Sequence, residues 1–215
     1  MVVHPRLNEA NQPVFIKRPS VPTPLAAWLS PKTLACVVPD GQMPLELNGV
    51  AINAWKPPHD VWWEEESTCT AIAEPPFNSP VGLKPAAGAV VVEPCGRVWL
   101  AQPTGGFGGV AHVVPKGRMD SGSSPAATAM REVWEEMGLR VRLTAWLVDL
   151  PRSTTFTRFY IATRVAGTPG AMGWESQGVV LTPSQGLPVL LNGAHDPPLV
   201  AAILARCAEL ASSTL

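Results

Sequence analysis

Gly117-Arg118-Met119-Asp120-Ser121-Gly122-Ser123-Ser124-Pro125-Ala126-Ala127-Thr128-Ala129-Met130-Arg131-Glu132-Val133-Trp134-Glu135-Glu136-Met137-Gly138-Leu139 is the stretch whose reading decides the fold. Ser124 followed by Pro125 is a helix start. The hydroxyl caps free N–H groups, and the proline stands where its missing N–H costs nothing. Ala126, Ala129, Met130, Val133 and Met137 recur at helical spacing and form an apolar stripe. Gly138 stands where a left-handed C-terminal cap is expected. The spacing therefore predicts a helix over Pro125 to Met137. Its other face carries Glu132, Glu135 and Glu136, at positions that project from one side. Three carboxylates so close repel one another, and only Arg131 is near to relieve them. As residues alone they fit either a solvated acidic face or a site for a hard divalent cation, which takes clustered carboxylate oxygens and shares them with phosphates.

The frame around them selects between the two. The stretch resembles the Nudix box, G-x5-E-x7-R-E-U-x-E-E-x-G-U with U apolar. Gly117, Arg131, Glu132, Val133, Glu135, Glu136, Gly138 and Leu139 fall on its positions, behind Pro115-Lys116. One position departs: Ser123 stands where the box has its first glutamate. The resemblance covers roughly residues 85 to 210. It implies an α/β/α sandwich with a mixed sheet, and hydrolysis of a nucleoside diphosphate linked to another group. Carried over by position, it implies Mg²⁺ or Mn²⁺ bound by Glu132, Glu135 and Glu136, with the carbonyl of Gly117 or its neighbour. Lys116 is expected at the rim by the phosphates as a point charge, and Arg131 among the substrate-binding residues. The resemblance implies a catalytic base at Glu175, in the loop after the later strands, or at Glu136. In the family the missing glutamate pairs with the box arginine. Here Arg131 is either solvated or taken over by Asp120, Glu135 or a distant carboxylate.

Composition bounds the rest. At 215 residues the chain holds one full core and an appendage. Sixteen basic residues balance 17 acidic ones, which gives no surface for general nucleic-acid or membrane binding. Cys36, Cys69, Cys95 and Cys207 are scattered without a C-x-x-C pair, as suits buried thiols in a reducing cytoplasm. No signal peptide and no apolar run near 18 residues is seen.

Residues 1–80 differ in texture from the rest of the chain. They hold 13 of the 24 prolines, so long helices are not expected there. They also hold Trp28, Trp55, Trp62 and Trp63, and disordered linkers are poor in aromatics. We expect an extension of short strands and turns that docks on the main domain, residues 81–215, or on a second subunit in a homodimer. Trp62-Trp63-Glu64-Glu65-Glu66 fits an amphipathic edge with acidic caps better than a metal or sugar site. His4 and His59 show no ligand spacing.

From Ala86 the pattern is regular. Ala89 to Glu93 and Arg97 to Ala101 flank Pro94-Cys95-Gly96 and read as a hairpin. Thr104 to Gly109 is glycine-rich. It leads into a predicted strand, Val110 to Val114, rather than a helix, so it lacks the dinucleotide-binding pattern and reads as a mobile turn. Val141 to Leu150, Phe156 to Val165 and Gln177 to Leu181 read as strands. Pro183 to Gly193 reads as irregular, and Pro197 to Leu210 as a second amphipathic helix. Strands, helix, strands, helix is the order of an α/β/α sandwich. Two functions fit: a metal-dependent hydrolase acting on a small nucleotide or other diphosphate, or a binding module that holds a nucleotide without cleaving it. ADP-ribose, dinucleotide polyphosphates, oxidised nucleotides, nucleotide sugars and inositol pyrophosphates all stay open as substrates.

Overall fold

Helix α3 (Pro125–Met137) forms over the span its caps define. The Ser124 hydroxyl accepts from the Ala127 N–H at 3.1 Å, and Gly138 closes the helix at φ 66°. A Cβ at Gly138 would lie 2.4 Å from the Thr168 carbonyl oxygen, so only glycine fits there. The computed structural model describes residues 2–69, 71–105 and 110–212. Gly106 to Gly109, most of the glycine-rich run, lie outside the described residues, and with them the mobile turn expected there.

Eleven strands and five α-helices occur among the described residues. In chain order they are β1 (Val2–Val3), β2 (Phe15–Ile16), α1 (Ala26–Leu29), β3 (Ala35–Val37), β4 (Glu46–Leu47), β5 (Val50–Ala51), α2 (Trp62–Ser67), β6 (Lys84–Val91), β7 (Arg97–Pro103), β8 (Lys116–Arg118), α3, β9 (Leu139–Pro151), β10 (Thr155–Gly167), β11 (Ser176–Pro183), α4 (Leu187–Leu190) and α5 (Pro197–Ser212). A four-stranded sheet runs β8-β6-β10-β9, and a three-stranded sheet runs β3-β11-β7. β10 is parallel to β6 and antiparallel to β9, so the larger sheet is mixed. Side chains alternate across β6. Ala87, Ala89 and Val91 join Met130, Val133 and Met137 of α3 in one apolar cluster. Val90 joins Phe159, Leu199 and Ile203 in the other, on the α5 side. Helices thus cover both faces of the sheets, the α/β/α sandwich expected. Val133 and Met137 are fully buried, each contributing about 1.5–3 kcal/mol by leaving water.

Four expectations need correction. Pro183 to Gly193, expected to be irregular, holds a 3-10 turn at Ser184–Gly186 and the short helix α4. β6 and β7 turn tightly through Glu93 to Arg97, yet share only the bridge Val92–Val98 before entering different sheets. Each strand finds its long partner far away in sequence, β10 for one and β11 for the other. The strand expected at Val110 to Val114 is reduced to a single bridge, Ala101–Val113, and pairing resumes at β8. Of the four cysteines only Cys36 is buried, and Cys69 is exposed.

The N-terminal residues contact the sheets at several points. β3 pairs antiparallel with β11, adding an edge strand. Trp28 is fully buried, 5.7 Å from the Trp99 ring. Buried Arg97 donates to the Ala27 and Trp28 carbonyls. Buried Glu93 ties buried Arg164 to the exposed Asn48. α2 lies along α3, with the Trp63 ring tilted against Trp134 at 5.8 Å and the Trp55 and Trp62 rings beside it. In the Trp62 to Glu66 run, Glu64 accepts from the Ser124 N–H at 3.1 Å and Glu66 pairs with Arg140. The first of these carboxylates is thus a second cap on α3, supplied from outside it. No helix among the described residues is long and apolar enough to cross a membrane.

Candidate active site

β8 and α3 set the site. β8 crosses the N-terminal part of the box and α3 rises behind it, so Lys116 and Gly117 face Glu132 and Glu136. The Lys116 N–H donates to Glu136 Oε1 at 3.0 Å. A Cβ at Gly117 would fall 2.1 Å from Glu132 Oε1 and 2.3 Å from Oε2. Glycine is required there because the backbone and the carboxylate occupy adjoining space. Glu132 and Glu136 lie on successive turns and are both 7% exposed. Burial, with Glu136 beside it, pushes the Glu132 carboxyl up to about 8 against the pull of Arg131. Burial pushes Glu136 up to about 7 against the pull of Lys116 and its N–H. At both carboxylates burial outweighs the positive charge beside them.

Glu135 is placed differently. It is half-exposed and holds Arg131 at 3.0 Å. The same guanidinium reaches Glu132 at 3.2 Å and Asp120 at 3.2 Å. Arg131 therefore does not line the cleft that opens at Gly117 and Glu136. It clamps three carboxylates, because those charges surround it. Asp120 takes the place left by Ser123, whose own N–H donates to the Asp120 carbonyl in the turn before the helix. Sequence reasoning named Asp120 as one of several partners; the turn that brings it back to Arg131 is the feature that selects it.

The cleft has a volume of about 790 Å³. Lys116, Gly117 and Glu136 line it from β8 and α3, and Glu175 lines it from the loop before β11. Glu175 is held by its backbone, whose carbonyl accepts from the Thr104 N–H at 2.7 Å, while the Thr104 hydroxyl bonds the Trp174 carbonyl. Partial desolvation at the cleft, with Glu9 nearby, raises the Glu175 pKa. The structure thus brings Glu175, Glu136, Lys116 and Gly117 to one cavity, with Glu132 packed against Gly117. Farther along, Arg152, His195 and Asp196 line the cleft, with Arg152 bonded to Asp196 at 2.7 Å. Val14, Phe15 and Lys17 close another side. None of these stood out in the sequence, since only the fold brings them near the box.

The donor set suits a hard divalent cation: carboxylate oxygens of Glu132 and Glu136 beside the backbone of Gly117. Among the described residues, no three His, Cys, Asp or Glu side chains gather closely enough to enclose an ion on their own.

The NUDIX domain model matches residues 82–185, from just before β6 to the turn after β11. Among solved structures, the chain is similar to a UDP-X diphosphatase, 16% identical over 68% of each chain with a TM-score of 0.48. It is also similar to a C. elegans Ap4A hydrolase, 17% identical over 59% of this chain and 98% of that one, TM-score 0.48. An ADP-ribose pyrophosphatase from Streptococcus suis is 19% identical over 57% of this chain and 91% of that one, TM-score 0.46. No curated protein matches the chain. With the box and the sandwich, the domain match identifies residues 82–185 as a NUDIX domain.

Proposed function

We propose that this chain cleaves the pyrophosphate bond of a nucleoside diphosphate linked to a further group, using Mg²⁺ or Mn²⁺. The observation that carries this is the buried Glu132 and Glu136 pair against the Gly117 backbone, with Gly117 and Glu136 lining a cleft large enough for a nucleotide. Glu132 and Glu136 would hold the cation, with the backbone of Gly117 beside them. Glu135 contributes through Arg131, which it keeps turned toward Glu132. When bound, the cation neutralises phosphate charge and acidifies a coordinated water. Lys116 presents its ammonium to the phosphates at the rim. Glu175, raised in pKa and facing the same cavity, accepts the proton of the attacking water; Glu136 is the second candidate for that role.

The alternative, a module that binds a nucleotide without cleaving it, draws its support from Ser123. The contact between Asp120 and Arg131 weakens that support. The test is the purified full chain with Mg²⁺ against nucleotide sugars, ADP-ribose, dinucleotide polyphosphates, oxidised nucleotides and inositol pyrophosphates, with product release measured. Turnover of at least one nucleotide substrate, lost in Glu136→Gln, is expected. Tight nucleotide binding with no turnover of any compound would establish the binding module instead.

A further inference from the structure

One side of the cleft comes from outside residues 82–185. Val14, Phe15 and Lys17 line it, carried by the β1–β2 hairpin, in which Val3 pairs with Phe15 and Val2 with Ile16. Alternation along β2 sends Ile16 into the protein, 4% exposed, and leaves Phe15 on the other face, 52% exposed. The hairpin is held firmly. The His4 ring is buried; its Nδ1 accepts from the Arg6 N–H at 3.0 Å, so Nε2 carries the proton and donates to the Ser176 carbonyl at 3.0 Å. Arg6 reaches on to Asp40 at 3.0 Å. Ser176 directly follows Trp174 and Glu175, so the pin sits beside two further residues that line the cleft.

Phe15 is therefore a large apolar ring fixed at the wall of a cleft whose floor is built for phosphate. Trp174 lines the same cleft, and Lys17 adds a cation on the hairpin side. Flat aromatic faces beside a phosphate site are what a nucleobase stacks on, at about 1–3 kcal/mol per base. We infer that Phe15 is a specificity-determining residue of this enzyme: the hairpin presents its ring, with Trp174, to the base of a nucleoside diphosphate substrate. The inference rests on the function proposed above and narrows it. Substrates with an aromatic base are favoured over diphosphates without one, and the selecting surface lies in the N-terminal extension.

The test measures binding by calorimetry to the full chain with Mg²⁺. The probes are α,β-methylene-ADP and α,β-methylene-UDP, which resist cleavage, and methylenediphosphonate, which has no base. Phe15→Leu keeps apolar bulk and removes the ring. It is expected to weaken the tighter nucleotide analogue about tenfold and leave methylenediphosphonate unchanged, with Phe15→Tyr restoring wild-type affinity. Equal nucleotide affinity in Phe15→Leu and wild type overturns the inference. So does an equal loss for all three probes, which marks a merely structural role. If wild type binds methylenediphosphonate as tightly as the nucleotides, base stacking falls while the pyrophosphate site stands. If it binds none of the three, both readings fall.

Discussion

Arg131 sits at the centre of the box's one departure. Its guanidinium is 24% exposed and meets Glu132, Glu135 and Asp120, and the Asp120 side chain is 73% exposed. A pair that wet is worth only about 0–1 kcal/mol. Its value lies in holding the loop that carries Gly117, where a shift of about 1 Å can cost roughly a hundredfold in rate. Ser123→Glu alone should therefore leave turnover within about twofold, since Asp120 already serves. Asp120→Ala should slow turnover with little change in melting temperature, and adding Ser123→Glu to it should recover the loss. A double-mutant cycle on turnover across a Mg²⁺ titration reads this directly. If Ser123→Glu by itself accelerates the enzyme, Asp120 is not the replacement. Glu136 bears more: Glu136→Gln should lower turnover by about a hundredfold or more and shrink the rise in melting temperature that Mg²⁺ gives. Unchanged turnover would remove Glu136 from the site.

Helix α3 is the element that couples fold to chemistry, and it has two N-terminal caps. Ser124 is one; the other is Glu64, whose carboxylate accepts from the Ser124 N–H at the positive end of the helix dipole. Glu64→Ala should cost on the order of 1 kcal/mol, or about 2–4 °C in melting temperature, with metal-free protein showing it as clearly as metal-bound. A melting temperature unchanged within error would mean the cap is idle. The two caps also mark what a sequence exposes. Ser124, the apolar stripe and Gly138 act within one helix, so spacing alone reveals them. The strand pattern of β9 and β10 is legible for the same reason, as local alternation. Glu64 lies 60 residues from its partner, and nothing local distinguishes it from Glu65. The expected hairpin at Pro94 fails because a turn fixes where a chain reverses, while strand partners are chosen by the whole sheet. Helical spacing presents Glu132, Glu135 and Glu136 as one cluster. Their division into a buried pair and an arginine-bound outlier needs β8 and the Asp120 turn in place.

At the scale of the whole molecule, the charge of the site and the extension both bear on stability. Glu132 and Glu136 ionise at about 8 and about 7 in the folded protein, against an ordinary 4.5. The folded state thus holds their protons more tightly than the unfolded chain does. The stability this gives is full below about pH 4.5 and is lost as pH rises through the 7 to 8 range. A divalent cation competes with those protons, so its stabilising effect should grow as they leave. Melting temperatures in chelator and in Mg²⁺ should therefore diverge from about pH 5 to about pH 8, and a gap that narrows with pH would contradict a site at these carboxylates. The extension has the larger reach. β3 completes the edge of the smaller sheet, Trp28 fills space against Trp99, and Trp63 covers Trp134. Removing residues 1–80 would bare the β11 edge and those rings, and leave Arg97 and Arg164 without the carbonyls they bond. Each buried donor left without its carbonyl costs about 1–3 kcal/mol, even with Arg164 still paired to Glu93, and an uncovered strand edge invites association. The truncated chain, residues 81–215, should accordingly aggregate or fail to melt cooperatively, while deletion of the β1–β2 hairpin alone should leave a cooperative fold. The readouts are calorimetric melting and mass in solution. A truncated chain that stays monomeric and melts near the full-length temperature would show that residues 81–215 carry their own complete core and that the N-terminal contacts add little to it.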